Sequence, residues 1–264
     1  MIDTGRIVAV TGASSGIGLA AARLFRDRGD KVYCLSRTDP KEPGITFIHT
    51  DVTDEASVNA AFGAIGKAEG RIDVLLSNAG IGVSGAAECT TIQDAKRQLD
   101  VNFFGLHACV RAAVPLMRAH GGTILATSSV AAVFAIPFQA FYSASKFAVN
   151  ALVLALANEL KPFNIRVAAI MPGDVKTGFT SARVKAARDD NYGQSVEKSV
   201  AVMERDEQNG MGPEMIAKKF VALSLKKHPK VLSTVGLQYK FFCFLGKVLP
   251  IRLQNFIVGK MYIK

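Results

Sequence analysis

A chain of 264 residues, 49% hydrophobic and 20% charged, can bury one large core and is too apolar to be disordered. Its net charge of +10 is uneven: up to Glu214 bases and acids balance at 22 each, and ten bases without an acid follow. Those ten are interleaved with Phe241, Phe242, Phe244, Leu245, Val248, Leu249, Leu253, Phe256 and Ile257, and no nucleic-acid motif accompanies them, so nucleic acid is set aside as a partner.

In chain order, the apolar run 6–12 ends in glycine and predicts a strand, and IGLAAARLFRDRG predicts a helix stopped by Gly29. Apolar runs at 31–36, 45–50, 73–80, 122–129 and 165–173 predict further strands, with a short last one near 231–235. Helices are expected over 54–68, 92–119, 139–161 and 213–227. Strands this apolar face water on neither side, so the alternation predicts an α/β domain, 1–264, with helices covering both faces of a parallel sheet. The polar, weakly periodic stretch 178–212 follows the sixth strand, where open α/β sheets place ligand loops, and is read as a substrate lid. The basic aromatic extension 239–264 is interrupted by Lys247, Pro250 and Arg252; it is too broken to span a membrane and predicts two short helices meeting at Pro250.

Cys34, Cys89, Cys109 and Cys243 form no CxxC and sit mostly in apolar runs, which predicts buried reduced thiols. The opening MIDTGRIVAV carries no export signal, so a cytoplasmic protein is expected. His49, His107, His120 and His228 are scattered and no Cys/His cluster has ligand spacing, so no metal is expected.

In TGASSGIG at 11–18, Gly12, Gly16 and Gly18 lie between a strand and a helix, where missing side chains let backbone N–H groups and the helix dipole meet a pyrophosphate. The spacing departs from the commoner GxGxxG, and tight packing of strand on helix would ask for the same glycines. About twenty residues on, where a carboxylate would hold ribose hydroxyls, the second strand ends in Ser36 and Arg37. Arg37 can pair bidentately with a 2′-phosphate, which favours NADP(H); a solvated loop arginine, with Asp39 nearby, leaves NAD(H) open.

Tyr142 and Lys146 are four apart in a helical segment and share one face. A phenol titrates near 10, and a neighbouring ammonium favours the phenolate, which suits proton transfer near neutral pH. Ser129 ends the fifth strand at the ligand-binding edge, where its hydroxyl can hold a substrate oxygen.

These residues, with NAG at 78–80, Asn102 in VNFFG and PGDVKTGF at 172–179, resemble the short-chain dehydrogenases/reductases from residue 6 to about 180. The stretch SVAAVFAIPFQAFYSASKFAV is most similar to the 17β-hydroxysteroid and retinol dehydrogenase branches. The resemblance implies a Rossmann-type domain with strand order 3-2-1-4-5-6-7. It implies Tyr142 as general acid/base, Ser129 as the substrate-orienting hydroxyl, Lys146 as tuner of the tyrosine and ribose ligand, and Asn102 as holder of a relay water. It further implies cofactor contacts from Gly12, Ser14, Ser15, Gly16, Ile17 and Gly18, from Asp51 and Val52 at the adenine, from Asn78, Ala79 and Gly80, and from Pro172, Gly173, Val175 and Thr177 around the nicotinamide. Asp51 as a helix cap and Asn102 as a buried structural amide stay open on the residues alone.

The implied activity is NAD(P)(H)-linked interconversion of a hydrophobic ketone or aldehyde and its alcohol, whether steroid, retinoid or another lipid. Phe134, Phe138, Phe179 and Met171 make an apolar pocket plausible, and Lys176, Arg183 and Lys185 read as solvated. The extension suits either peripheral contact with an anionic membrane or a fold over the substrate site or a subunit interface. The resemblance implies homodimers or homotetramers built on the long helices. A redox sensor or membrane-surface scaffold without turnover is the alternative reading.

Overall fold

In the computed structural model the described residues are 5–263; the first four residues, on which part of the targeting argument drew, and Lys264 lie outside them. Strand β1 (Ile7–Thr11) is buried throughout, and Gly12, at φ 63°, turns the chain toward α1 (Gly16–Asp27). Next come β2 (Lys31–Ser36), β3 (Ile45–His49), α2 (Glu55–Glu69) and β4 (Val74–Ser77). Asp54 caps α2 by accepting from Ala56 N–H at 2.9 Å, so the cap next to Glu55 is Asp54 and not Asp51.

A two-residue β5 (Val83–Ser84) precedes α3 (Ile92–Leu99), which passes through one π-helical turn, Asp100–Phe104, into α4 (Gly105–Met117). The single helix expected over 92–119 is therefore two. Then follow β6 (Gly122–Thr127), α5 (Ala140–Glu159), β7 (Ile165–Met171), β8 (Val184–Lys185), α6 (Ser195–Gln208) and α7 (Pro213–Ser224). The chain closes with β9 (Leu232–Thr234), α8 (Leu237–Val248) and α9 (Ile251–Tyr262).

Seven strands pair in parallel in the order β3-β2-β1-β4-β6-β7-β9, which is 3-2-1-4-5-6-7 when only this sheet is counted. Val10 lies opposite Cys34 on one side and Leu76 on the other, so β1 is central and apolar on both faces. Phe25 and Phe220 anchor the core under α1 and α7, and Phe62 the core under α2 and α4. Each is fully buried and contributes about 2 kcal/mol of hydrophobic stabilisation. The sheet winds in opposite directions from β1 and β4, and the crevice at their carboxyl ends is where such sheets hold ligands. Helix α5 is long and apolar enough to cross a membrane, but Val149, Val153 and Leu156 pack into the core.

The stretch 178–212, read from sequence as a lid, is more ordered than its composition suggests. Strand β8 pairs in parallel with β5, Val83 opposite Val184, and α6 buries Val200 and Met203 at helical spacing. Arg183 is not solvated: it is 6% exposed and ion-paired with Glu207, while Lys185 reaches Glu204 at 3.0 Å. All four thiols are free; Cys34, Cys109 and Cys243 are buried, but Cys89 is half-buried in a surface loop, its thiol 3.8 Å from Asp189.

Candidate active site

A cavity of about 1020 Å³ opens at the carboxyl ends of the central strands. It is lined by Gly12, Ser14, Ser15, Gly16 and Ile17 of the glycine turn, by Arg37, Asp51 and Val52, and by Asn78, Ala79 and Gly80. Ser129, Tyr142, Lys146, Pro172, Gly173, Val175 and Thr177 complete the set, so nearly all residues singled out from sequence share one space. Gly18 and Asn102 do not line it.

Close approach explains the glycines. A Cβ on Gly12 would stand 2.8 Å from Ala79 Cα, and one on Gly18 would stand 2.3 Å from Gly12 O and 2.6 Å from Asn78 Nδ2. At Gly16 a Cβ would meet only Thr177, at 3.4 Å, but its φ of 54° favours glycine. The turn is bare of side chains at the start of α1, which is what a pyrophosphate against backbone N–H groups requires. The chain therefore fits a dinucleotide.

Asn78 braces this turn: its Nδ2 donates to Gly12 O at 3.3 Å, its Oδ1 accepts from Thr127 Oγ1 at 3.0 Å, and its backbone N–H donates to Thr11 Oγ1 at 3.0 Å. Just past the end of β2, Arg37 is exposed and, among the described residues, has no ion pair. Burial pushes the Asp51 carboxyl up, but the N–H and hydroxyl of Thr53, at 2.9 and 2.7 Å, together with Arg37 and His49 hold it below the usual range.

Helix α5 presents Tyr142 and Lys146 on one face, with the Lys146 ammonium 5.6 Å from the Tyr142 ring centre. Lys146 Nζ donates to Thr127 O at 2.9 Å, which draws the lysine toward the end of β6. Burial pulls Lys146 down to about 8. Burial likewise pushes Tyr142 up to about 12; interaction with Ser129 and Arg183 lowers it, while Glu207 and Asp174 raise it. The expectation that Lys146 brings the phenol toward neutrality is thus reversed in the protein alone, because low-dielectric surroundings penalise both charged forms. Tyr142 stands as a protonated acid.

Since burial leaves the Lys146 ammonium charged only below about pH 8, and that charge favours the phenolate left after proton donation, carbonyl reduction should lose its support as pH rises. We expect kcat/KM for reduction to be flat up to about pH 8 and to fall above it. A profile that stays flat well beyond that point would separate Lys146 from the proton step.

Asn102, 3% exposed, sits in the π-helical turn and clamps the β4–β5 connection. Its Oδ1 accepts from Ile81 N–H at 2.9 Å and its Nδ2 donates to Ile81 O at 3.1 Å and to Ser145 Oγ at 3.0 Å. The side chain is fully engaged in structure, as the buried-amide reading allows. Sequence reasoning passed over Thr11, Thr127 and Ser145, whose contacts depend on residues far away in the chain. It also passed over Tyr239, whose hydroxyl donates to Asp174 Oδ2 at 2.7 Å and whose ring fills the space beside Gly173.

The opposite end of the cavity has a largely apolar wall, with Asp206, Glu207 and Asn209 of α6 and its C-terminal end also lining the cavity. Phe134 and Phe179 line it as expected, the Phe179 ring 5.8 Å from Tyr142, whereas Phe138 and Met171 do not. Most of this wall comes from the extension: Phe242 and Leu245 of α8 and Ile257, Val258 and Met261 of α9.

The short chain dehydrogenase family model matches residues 6–188. A 3-ketodihydrosphingosine reductase of Bacteroides thetaiotaomicron is 38% identical over 236 residues, 88% of each chain, and the mouse 17-beta-hydroxysteroid dehydrogenase type 1 is 38% identical over 191, 66% of this chain and 55% of that one. A solved short-chain dehydrogenase from Streptomyces avermitilis superposes with a TM-score of 0.86 at 26% identity, covering 98% of both chains. The sheet order agrees with these likenesses, and the chain belongs to the short-chain dehydrogenase/reductase family of oxidoreductases.

Proposed function

We propose that the protein is an NADP(H)-dependent oxidoreductase interconverting a lipidic ketone and its alcohol. One observation carries the reading: Ser129, Tyr142 and Lys146 face a cavity running from an unpaired arginine at the nucleotide end to an apolar wall at the other. The dinucleotide would supply hydride. Gly12, Ser14, Ser15, Gly16 and Ile17 would hold its phosphates, Arg37 a 2′-phosphate, Asp51 and Val52 its adenine, and Asn78, Ala79, Gly80, Pro172, Gly173, Val175 and Thr177 the rest. Gly18 acts beneath them by packing, and Asn102 by holding Ile81 and Ser145 in place.

Ser129 Oγ orients the substrate oxygen, and Tyr142 Oη donates the proton to that oxygen in reduction and accepts it in oxidation. Lys146 offsets the phenolate charge that results. The apolar walls of α8 and α9 receive the remainder of the molecule and exclude water from the reacting carbon. The likeness to a 3-ketodihydrosphingosine reductase across most of both chains favours a long-chain ketone over a steroid or retinoid. The exposed Phe104, Phe147 and Leu154 near and along α5 support a homo-oligomer, and the free buried thiols support a reducing, cytoplasmic compartment.

The test is a turnover screen of long-chain ketones, 3-ketodihydrosphingosine included, beside steroids, retinal and small ketones, each with NADPH and NADH. Long-chain ketones and NADPH should lead. Arg37→Glu should cost about tenfold to a hundredfold in kcat/KM with NADPH, the loss of one charge-assisted contact, and little with NADH. Equal use of both cofactors by the unaltered protein would defeat the NADP(H) assignment, and NADPH binding without turnover on any carbonyl would favour a sensor.

A further inference from the structure

The extension has two different faces. Tyr239, Cys243, Gln254 and Val258 are buried against the domain and over the cavity. On the outer side of α8, Leu237, Phe241, Phe244 and Val248 recur at intervals of four, three and four residues, one helical stripe, and are 84, 58, 57 and 56% exposed. Helix α9 adds Ile251 at 69% and Phe256 at 61%. Eleven of the eighteen large exposed hydrophobic side chains among the described residues lie between 237 and 263. A water-facing surface does not concentrate them in this way.

Within the extension itself the charge has one sign, although Asp206 of α6 lies beside Lys260, Met261 and Tyr262 at its far end. Lys240, Lys247, Arg252 and Lys260 flank the stripe, no acid occurs after Glu214, and all four are exposed. The basic field extends onto the domain: burial first, and then repulsion from Lys226, Lys240 and Lys230, pulls Lys219 below its ordinary range. Apolar and aromatic side chains set among the bases of α8 and α9, helices that carry no acid of their own, match the chemistry of an anionic lipid surface.

We propose that α8 and α9 dock flat on an anionic membrane while their inner faces wall the catalytic cavity. Phe242, Ile257 and Met261 belong to both, lining the cavity and yet 37, 39 and 44% exposed, so they mark the mouth at the docking face. The extension is thereby a lid and a contact surface at once, and a lipid substrate passes from the bilayer to Tyr142 without crossing water. Passage of substrate from the bilayer rests on the lipidic-ketone reading; the docking itself does not. Helix α9 is joined to α8 only through Leu249 and Pro250, and Gln254 Nε2 holds the joint by donating to Gly246 O at 3.1 Å and Leu249 O at 2.7 Å.

The experiment is co-flotation of the full chain with vesicles of phosphatidylcholine alone or mixed with phosphatidylglycerol, at low and high salt, with its mass in solution measured alongside. Binding should require phosphatidylglycerol and weaken as salt rises. K240E/K247E/R252E should weaken partitioning by about a hundredfold or more, and F241S/F244S should do so without altering the salt slope. None of these five residues lines the cavity, so NADPH affinity and melting temperature should stay near those of the unaltered protein, which shows that the variants fold. Absence of binding by the unaltered chain to either vesicle, or binding by both variants as strong as that of the unaltered chain, overturns the proposal. So does a dimer that F241S/F244S dissolves with no lipid binding in either form, which would make a second copy the occupant. Because flotation needs no turnover, failure here leaves the oxidoreductase reading standing, and failure to find a substrate leaves docking standing.

Discussion

Tyr142→Phe should lower turnover by about a hundredfold to ten-thousandfold while leaving NADPH affinity within a few-fold of the unaltered protein. The phenyl ring keeps the packing against Phe179, 5.8 Å away, and keeps the face that Lys146 approaches at 5.6 Å. What it lacks is the phenolic proton assigned to the transfer step. Burial that pushes the phenol up to about 12 also means that no charge is lost from the protein alone on substitution, so the fold has no electrostatic reason to weaken. Lys146→Met is the contrasting case: it removes the bond to Thr127 O and the compensating charge together, so cofactor affinity and turnover should fall jointly. Single-turnover rates beside NADPH fluorescence titration distinguish the two patterns. A Tyr142→Phe protein with near-normal turnover would remove this residue from the proton step.

Local pattern carried the fold far. Strands as apolar as β1, β4 and β6, separated by helices, admit few arrangements other than a covered parallel sheet, and the glycine turn after β1 located its crevice. The same reasoning could not see the π-helical turn at Asp100–Phe104, because one extra residue in a helix leaves the hydrophobic period on either side nearly intact. It read the lid as loosely structured because α6 buries only Val200 and Met203 of its large apolar side chains, and because Arg183 pairs with Glu207, 24 residues away in the chain. Proton affinities were the least legible part. Spacing placed Lys146 beside Tyr142, but the direction of each shift depends on how much protein surrounds them, and burial is the largest cause for both.

The extension shows where composition stops short of structure. Two helices meeting at Pro250 were legible from the sequence, as was their mixture of bases and aromatics. Membrane contact and coverage of the site stood as alternatives because sequence period gives a face but not what lies beneath it. Tyr239, fixed to Asp174 and seated against Gly173, turns α8 so that Phe242 and Leu245 reach the cavity, which makes the two roles compatible.

Gly18→Ala should be the most damaging substitution in the nucleotide turn, and for a reason unlike that at Gly16. Gly18 lies within α1, where alanine's backbone preference is no obstacle. Its methyl would stand 2.3 Å from Gly12 O and 2.6 Å from Asn78 Nδ2, two groups bonded to each other at 3.3 Å. The backbone at Gly12 must therefore shift and Asn78 with it, and Asn78 holds Thr127 Oγ1 at 3.0 Å while Thr127 O holds Lys146 Nζ at 2.9 Å. Displacement therefore runs from the phosphate turn to the lysine beside Tyr142. Overpacking of this kind costs about 3 kcal/mol, which should lower the melting temperature by about 6–12 °C, together with loss of NADPH binding. Gly16→Ala meets Thr177 only at 3.4 Å and should cost about 1–2 kcal/mol through its φ of 54°. Gly63→Ala in α2, with open space around it, should leave stability unchanged or raise it by up to about 1 kcal/mol. Thermal melts of the three with and without NADPH give the ordering, and a Gly18→Ala protein that melts and binds like the unaltered one would mean that the turn has room its contacts deny.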